Sequence, residues 1–278
     1  MLQKSHNRIG IIGGTNGTGK QFAILLAKIG FSVQVSGRKT KITNIELAQN
    51  SDILLFAPPL KNSVKIIQET VPFCQNPKQI IADLCSLKTP QIKAMTKAKG
   101  EIIGLHPLFG PHFQDVNDQD LIVCRNKKTT NTTKLIKLLK NELGLKIHEM
   151  SAKEHDQLMS IIQVIPHLSA LISGSLFRAL KIHPELSLKI CSPVYKAELY
   201  MIGRIYSQNP ELYASIIGGN PHSKKIANTL KKTIDDLIPA ISYQDIESLS
   251  KNFTQNKKHF GEFSQIALAE SQKLLKNL

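Results

Sequence analysis

Cysteine is scarce in this 278-residue chain, and what there is lies scattered, at Cys74, Cys85, Cys124 and Cys191. No two fall at a C-x-x-C or similar metal spacing, and a chain of this length does not depend on a disulfide framework. The four are read as reduced packing residues. Long apolar runs are also missing; none is long enough to span a membrane. The first residues, Met1 to Arg8, lack the apolar centre of a signal peptide. These two absences point to a cytoplasmic enzyme or binding protein. Acidic residues are few, 21 against 36 lysines and arginines, for a formal charge of +15. Such an excess is one mark of nucleic-acid binding. Here, however, the lysines spread along the whole length, and no zinc finger or aromatic-basic RNA signature appears. Nucleic acid is set aside as a partner, which leaves a general attraction of anionic small molecules into a cleft.

The chain does have an apolar content of 41%, enough to bury a sizeable core. Its length suits one large domain or two ordinary ones. Arg8-Ile9-Gly10-Ile11-Ile12 is too continuously apolar for a half-exposed strand and reads as the buried first strand of a parallel sheet. Gly13-Gly14-Thr15-Asn16-Gly17-Thr18-Gly19 follows. Then Phe22, Ala23, Leu25, Leu26 and Ile29 recur at helical spacing, with Gly30 where a C-terminal cap belongs. Strand, glycine turn, helix is the setting of a dinucleotide fingerprint. The glycines let backbone approach a pyrophosphate, and the helix N-terminus offers it N–H groups. Counted from Gly14 the pattern is G-x-N-x-x-G, with Asn16 at the middle glycine position. Asparagine tolerates left-handed dihedrals better than other side chains, so the turn survives.

The second strand, Phe31 to Val35, leads into Ser36-Gly37-Arg38-Lys39-Thr40. An acidic residue usually stands here to hold the ribose 2′-hydroxyl of NAD. None is present. Ser36, Arg38 and Lys39 suit a 2′-phosphate instead, which favours NADP over NAD. Asp52 to Pro59 reads as a buried strand closed by a proline turn, its end (Ala57, Pro58) facing the cofactor. Ile80 to Ser86 is a further strand. Ile102-Ile103 ends another, so that His106, within Gly104-Leu105-His106-Pro107-Leu108-Phe109-Gly110-Pro111, emerges at the edge where ligands of open α/β sheets bind. Ser86 is placed on the same edge. A neutral imidazole there takes up a proton near neutral pH. Leu121 to Cys124 and Lys146 to Met150 are later strands, with a helix over Lys134 to Leu143. The alternation predicts a parallel sheet with helices on both faces.

The pattern changes at Ser151-Ala152-Lys153-Glu154, a capping box. Everything after it reads as helix, with breaks near Pro184, Asn209-Pro210, Gly218 to Pro221 and Pro239. Tyr243 to Leu278 is one long helix or a broken pair. Two domains follow: 1–150, dinucleotide-binding, and 151–278, all-helical. In the helix capped by Ser151, Asp156, Gln163 and His167 share a face, and Pro166 is expected to kink it. In Ser192 to Arg204, Lys196, Tyr200 and Arg204 line another face. Arg204, among Met201, Ile202 and Ile205, is expected to be more buried than Lys196 and to need an anionic partner.

With these stretches in hand, the chain resembles the prephenate/arogenate dehydrogenases of tyrosine biosynthesis, nearly end to end. The resemblance rests on the glycine turn, Ser86-Leu87-Lys88, Gly104 to Pro111, Glu154-His155-Asp156-Gln157, Ile162-Gln163 with His167, Ser192 to Tyr195, Met201 to Arg204, and Gln208 to Ala214. Gly104 to Pro111 and Met201 to Tyr213 are its specific parts. It implies a Rossmann domain, a helical domain that forms a homodimer, and an active site in the cleft between the domains. It also implies a monofunctional form, since the first strand begins at Arg8 and leaves no room for a preceding chorismate mutase domain. By similarity, His106 binds the C4 hydroxyl of prephenate and accepts its proton as hydride departs, and Ser86 hydrogen-bonds both. Arg204 clamps a substrate carboxylate, and His167 lies near the substrate side chain, with Gln163 and Lys196 beside them. Tyr213 matches a position linked in some relatives to feedback by tyrosine. Asn16, Lys196 (where close relatives often carry Arg) and the missing acid after the second strand are departures.

The substrate is therefore expected to be prephenate, with arogenate, which carries an amino group in place of the keto group, as the rival. A β-hydroxyacid dehydrogenase is a second possibility, but the lysine and asparagine pair that class carries on a second-domain helix is not found. A non-catalytic NADP-sensing regulator is a third; it has no use for Ser86, His106 and Arg204 together.

Overall fold

The computed structural model describes residues 7–276 other than His112, Gln114 and Asn126. The leader reading of Met1 to Arg8 thus falls largely outside the described residues. The chain forms β1 (Arg8–Ile12), α1 (Gly17–Lys28), β2 (Ser32–Ser36), α2 (Asn44–Asn50), β3 (Ile53–Phe56), α3 (Leu60–Thr70), β4 (Ile80–Asp83) and α4 (Thr89–Met95). Then come β5 (Glu101–Pro107), β6 (Asp120–Cys124), α5 (Thr130–Leu143), β7 (Lys146–Met150) and α6 (Ala152–Met159). A π-helical turn, Ser160–Val164, passes into α7 (Ile165–Ala179). The remainder is α8 (Pro184–Leu188), α9 (Pro193–Tyr206), α10 (Pro210–Gly219), α11 (Ser223–Ser242), α12 (Ile246–Phe260) and α13 (Phe263–Leu275).

The chain divides into two compact units. The first runs to Ile162 and includes Glu211–Pro221; the second comprises Gln163–Pro210 and the chain from His222 onward. Helix α6, which follows Ser151, thus lies in the first unit, where it buries His155, Asp156 and Met159. Most of α10 also belongs there, through buried Ile216, together with buried Asn220 just after it.

In the first unit seven strands lie in the order β2-β1-β3-β4-β5-β6-β7. Strands β1, β3, β4 and β5 are buried on both faces, which is why they read as continuous apolar runs. One face packs Ile9, Ile11, Ile53 and Leu105 against Phe22 and Leu26 of α1 and Leu135 and Leu139 of α5. The other packs Leu54, Phe56 and Ile81 against Leu47, Ile67 and Met95 of α2, α3 and α4. The expected wholly parallel sheet needs one correction: β5 and β6 pair antiparallel. The described residues of the link between them form no helix, and a parallel return needs a crossover, usually helical, of a dozen or more residues. After α5 provides such a crossover, β7 pairs parallel to β6. A second correction concerns β5, which continues through Pro107 rather than stopping at Ile103, so His106 lies inside the strand opposite Ile122.

In the second unit α7 packs on α9. Tyr206 donates its hydroxyl hydrogen to the Ala170 carbonyl at 2.7 Å, and a Cβ at Gly174 would collide with the Tyr206 ring. Pro239 is accommodated inside α11, and the break comes three residues later. The C-terminal stretch is a broken pair, parted at Gly261 with φ +54°. Helix runs unbroken from Ala152 to Ala179, 28 residues with a mean hydropathy of 1.5 over its most apolar window. By length and composition alone it could cross a membrane, contrary to the sequence reading. Pro166, where a kink was expected, lies inside this run directly after the π-helical turn Ser160–Val164, a local irregularity of the kind that accommodates a missing N–H.

Candidate active site

The glycine turn meets the physical demands of a dinucleotide cradle. Gly13 has φ +81°, and a Cβ there would lie 2.5 Å from the Ala57 carbonyl oxygen. A Cβ at Gly19 would lie equally close to the Gly13 carbonyl, so both glycines hold the turn against the ends of β1 and β3. Above Gly17 there is open space. Asn16 keeps an extended backbone and caps α1, its side chain accepting the Gly17 N–H at 2.8 Å. Thr15 and Asn16 are exposed, Gly17, Thr18 and Ala57 half-buried, and Gly14 and Pro58 buried. Backbone amides at a helix start, with room in front of them, fit a pyrophosphate. After β2, Arg38 and Lys39 are exposed. Ser36 behaves differently from the reading that placed it with them: it is buried and donates its hydroxyl to Asn44 at 2.6 Å.

His106 is 3% exposed. Its Nδ1 lies 2.8 Å from Nε2 of His155, with the rings edge to face. Nδ1 of His155 lies 2.8 Å from the Asp156 carboxylate. That carboxylate also accepts the backbone N–H of Lys88 and of Thr89, each at 2.9 Å. Lys88 is wholly buried; its ammonium donates to the Asp83 carboxylate and, at 2.8 Å, to the carbonyl of Leu105, the residue before His106. Gly104 makes room for this, since a Cβ there would press on the Lys88 stem and on Ile92.

Burial, first, and then the neighbouring His155 and Lys88 hold the basicity of His106 well below that of an ordinary imidazole, against a smaller opposing pull from Asp156. Burial likewise lowers His155, more than Asp156 raises it. Burial pushes Asp156 up, but bonds from His155, Thr89 and Lys88 outweigh it and keep its carboxyl below the usual range. At neutral pH the cluster is two neutral imidazoles and one carboxylate. Cys85 and Cys124 stay thiols, their pKa values pushed to about 12, chiefly by burial.

Ser86 follows β4 and is half-buried, and it is His155 that faces Nδ1 of His106. Sequence reasoning quoted His155 without giving it a role. It placed Asp156 on a face with Gln163 and His167, and adjacent residues of a helix do not share a face. The signal was the capping box, which the structure contains: Ser151 and Glu154 fix the first turn of α6, and that turn presents both His155 and Asp156 inward.

The remaining predicted residues divide between the units. Tyr213, half-buried on α10, belongs to the first. Gln163, in the π turn, and His167, on α7, belong to the second; both are half-buried, and burial lowers the basicity of His167. Lys196 and Tyr200 stack along α9, the ammonium 5.8 Å from the ring centroid. Arg204, one turn further, lines a largely apolar groove of about 1110 Å³ with Arg178, Tyr200 and Tyr206. The expected order of burial is reversed: Arg204 is exposed and Lys196 half-buried. Helix α9 buries Leu199, and Lys196 flanks that side while Arg204 points away from it.

Residues 22–141 match the family model described as the nucleotide-binding domain of prephenate dehydrogenase, and residues 151–255 match its dimerization domain. A probable arogenate/prephenate dehydrogenase of Methanocaldococcus jannaschii is 32% identical over 280 residues, spanning 94% of this chain and 62% of the relative. The T-protein of Haemophilus influenzae is 29% identical over 270 residues, 97% of this chain and 71% of the relative. The chain thus spans somewhat less than two thirds of the first of these and somewhat more of the second. Among solved structures, prephenate dehydrogenase from Aquifex aeolicus in complex with hydroxyphenyl propionate and NAD+ superposes with a TM-score of 0.69 at 18% identity, covering 92% of this chain and 97% of the other. Arogenate dehydrogenase of Synechocystis gives 0.64 at 19%, covering 91% and 98%. At these identities the two structures speak for the fold.

Proposed function

Because this chain belongs to the prephenate dehydrogenase family, we propose that it oxidises and decarboxylates prephenate to 4-hydroxyphenylpyruvate with NADP as the favoured acceptor. The observation that carries the proposal is His106, a neutral buried imidazole anchored in β5 of a sheet whose first strand leads into a glycine turn shaped for a dinucleotide. A nicotinamide bound there would supply the acceptor for the hydride that leaves C4 of the ring. The part of the chain's own residues is to orient and deprotonate. His106 accepts the proton of the C4 hydroxyl as the C4–H bond breaks. Loss of the ring carboxylate as CO2 then leaves its bonding electrons in the ring, which becomes aromatic, and the phenol oxygen regains a proton. Aromatisation drives the reaction, so positioning does most of the catalytic work. Ser86 assists at the hydroxyl. Arg204 pairs with a substrate carboxylate, and Lys196, Gln163 and His167 attend the side chain. Tyr213 stands at the position tied to feedback.

The turn residues 13–19 with Ala57 and Pro58 hold the pyrophosphate side of the cofactor, and Arg38 with Lys39 meets the 2′-phosphate. The preference for NADP rests on those two exposed cations and on the lack of an acid after β2. The helical unit pairs with a second copy of the chain. Among its described residues it buries only Val164, Ala170 and Leu199, leaving apolar side chains such as Met201 and Leu176 more than half exposed. The protein is cytoplasmic and does not span a membrane: the long helix begins with turns that carry His155 and Asp156 into the catalytic cluster.

An initial-rate assay of nicotinamide reduction, run with prephenate or arogenate against NADP or NAD, tests the proposal. Turnover with prephenate and NADP is expected. Turnover with arogenate alone transfers the account to that substrate, and binding of NADP without turnover in any combination supports a sensor.

A further inference from the structure

The three-residue chain from Asp156 to His106 admits only one order of protons. The Asp156 carboxylate already accepts two backbone N–H groups and has no proton to give. The imidazole nitrogen 2.8 Å from it, Nδ1 of His155, must therefore carry the hydrogen. In a neutral ring that leaves Nε2 of His155 as an acceptor. Its partner at 2.8 Å, Nδ1 of His106, must then be the donor. The opposite order would set a lone pair of His155 against a buried carboxylate. We infer that His155 and Asp156 are positioning residues that fix the tautomer of His106, keeping its hydrogen on Nδ1 and its basic lone pair on Nε2.

The arrangement is held from both ends. Lys88 binds Asp156 through its backbone N–H, and its ammonium binds the carbonyl of Leu105, next to His106. One residue thus ties the anchoring carboxylate to the strand that carries the base. Charged groups that act on His106 include Lys88, from the loop before α4, and Asp156, from α6. Lys88 is itself neutralised by Asp83 at the end of β4. A base whose lone pair sat on Nδ1 would point back at His155 and could not reach a substrate. The relay therefore decides whether His106 is a base toward the substrate at all. The catalytic consequence rests on the dehydrogenase reading; the tautomer does not.

Nitrogen-15 NMR of the histidine rings in the full-length protein reads the tautomer without substrate, with the His106 signals assigned by their loss in His106→Gln. The expected spectrum shows a protonated Nδ1 and an unprotonated Nε2 for His106. A protonated Nε2 overturns the inference whatever the activity. In His155→Leu the acceptor is gone. The Nε2–H form of His106 should then appear, and kcat should fall by about 10²–10⁴, the worth of a general base, while the KM for prephenate and the affinity for NADP hold. His155→Gln offers an amide oxygen to the same N–H and should recover most of the loss. Equal defects in the Leu and Gln variants, or an unchanged tautomer in His155→Leu, would reduce His155 to a packing residue. A wild-type protein that shows the expected tautomer but turns over neither prephenate nor arogenate removes the reaction and leaves the tautomer assignment standing.

Discussion

At the scale of single residues, the account turns on an imidazole kept neutral by burial. The first prediction is a pH profile. His106 has its pKa lowered, so the base is competent throughout the neutral range. Turnover should be flat there and fall only as pH drops through that depressed value, below the ordinary imidazole pKa of about 6.5. A fall beginning above neutrality would assign the base elsewhere. Stability should follow the same sign. Below about pH 6.5 the unfolded chain binds protons that buried His106 and His155 resist, so the folded state loses ground with acid. His106→Ala should cut kcat by about 10²–10⁴ with substrate still bound. Arg204→Ala should raise the KM for substrate and spare cofactor affinity. Arg38→Ala should weaken NADP far more than NAD, and an equal loss would end the 2′-phosphate assignment. His106 was singled out in the sequence not by its own stretch, which a histidine bonded to a loop fits as well, but by the glycine turn and the helical motifs found with it. His155 and Lys88 were not, because a histidine beside an aspartate, or a lysine after a serine, gives no sign of burial until strand and helix meet.

Among the elements, strands and the glycine turn were legible from continuous apolar runs and from punctuation by Gly and Pro. The short α2, which buries only Leu47 and Ala48, has too little periodicity to read. The direction of β6 was not legible either, since it depends on the link between β5 and β6, whose described residues form no crossover helix. The connection that matters most to the site is the buried pair of Lys88 with Asp83, which pins the end of β4 to β5. Replacing Lys88 by Met leaves a buried carboxylate unpaired. The cost should be about 3–5 kcal/mol in urea unfolding, and a change within experimental error would show that the pair is not structural. Gly13→Ala tests the turn. Its φ of +81° and the Ala57 carbonyl 2.5 Å from the new Cβ should distort the cradle and weaken dinucleotide binding, measured by calorimetry.

For the molecule as a whole, two units were foreseen from the change of pattern at Ser151, while their exchange of α6 and most of α10 was not, because it is set by packing. The helical unit keeps its apolar residues outward to a degree a lone monomer does not sustain. Light scattering should therefore give twice the chain mass of 30.9 kDa, and Met201→Asp should shift the protein toward the monomer. A wild-type monomer at micromolar concentration would refute the pairing. The charge of +15 finds only a general role here, in drawing an anionic substrate and cofactor toward the protein. The most direct measurement of the central claim is the stoichiometry of a single turnover with prephenate and NADP. Wild-type protein should release one CO2 for each nicotinamide reduced, and His106→Ala should bind the cofactor yet yield neither. Reduction without CO2, or equal yields from both proteins, would contradict the account.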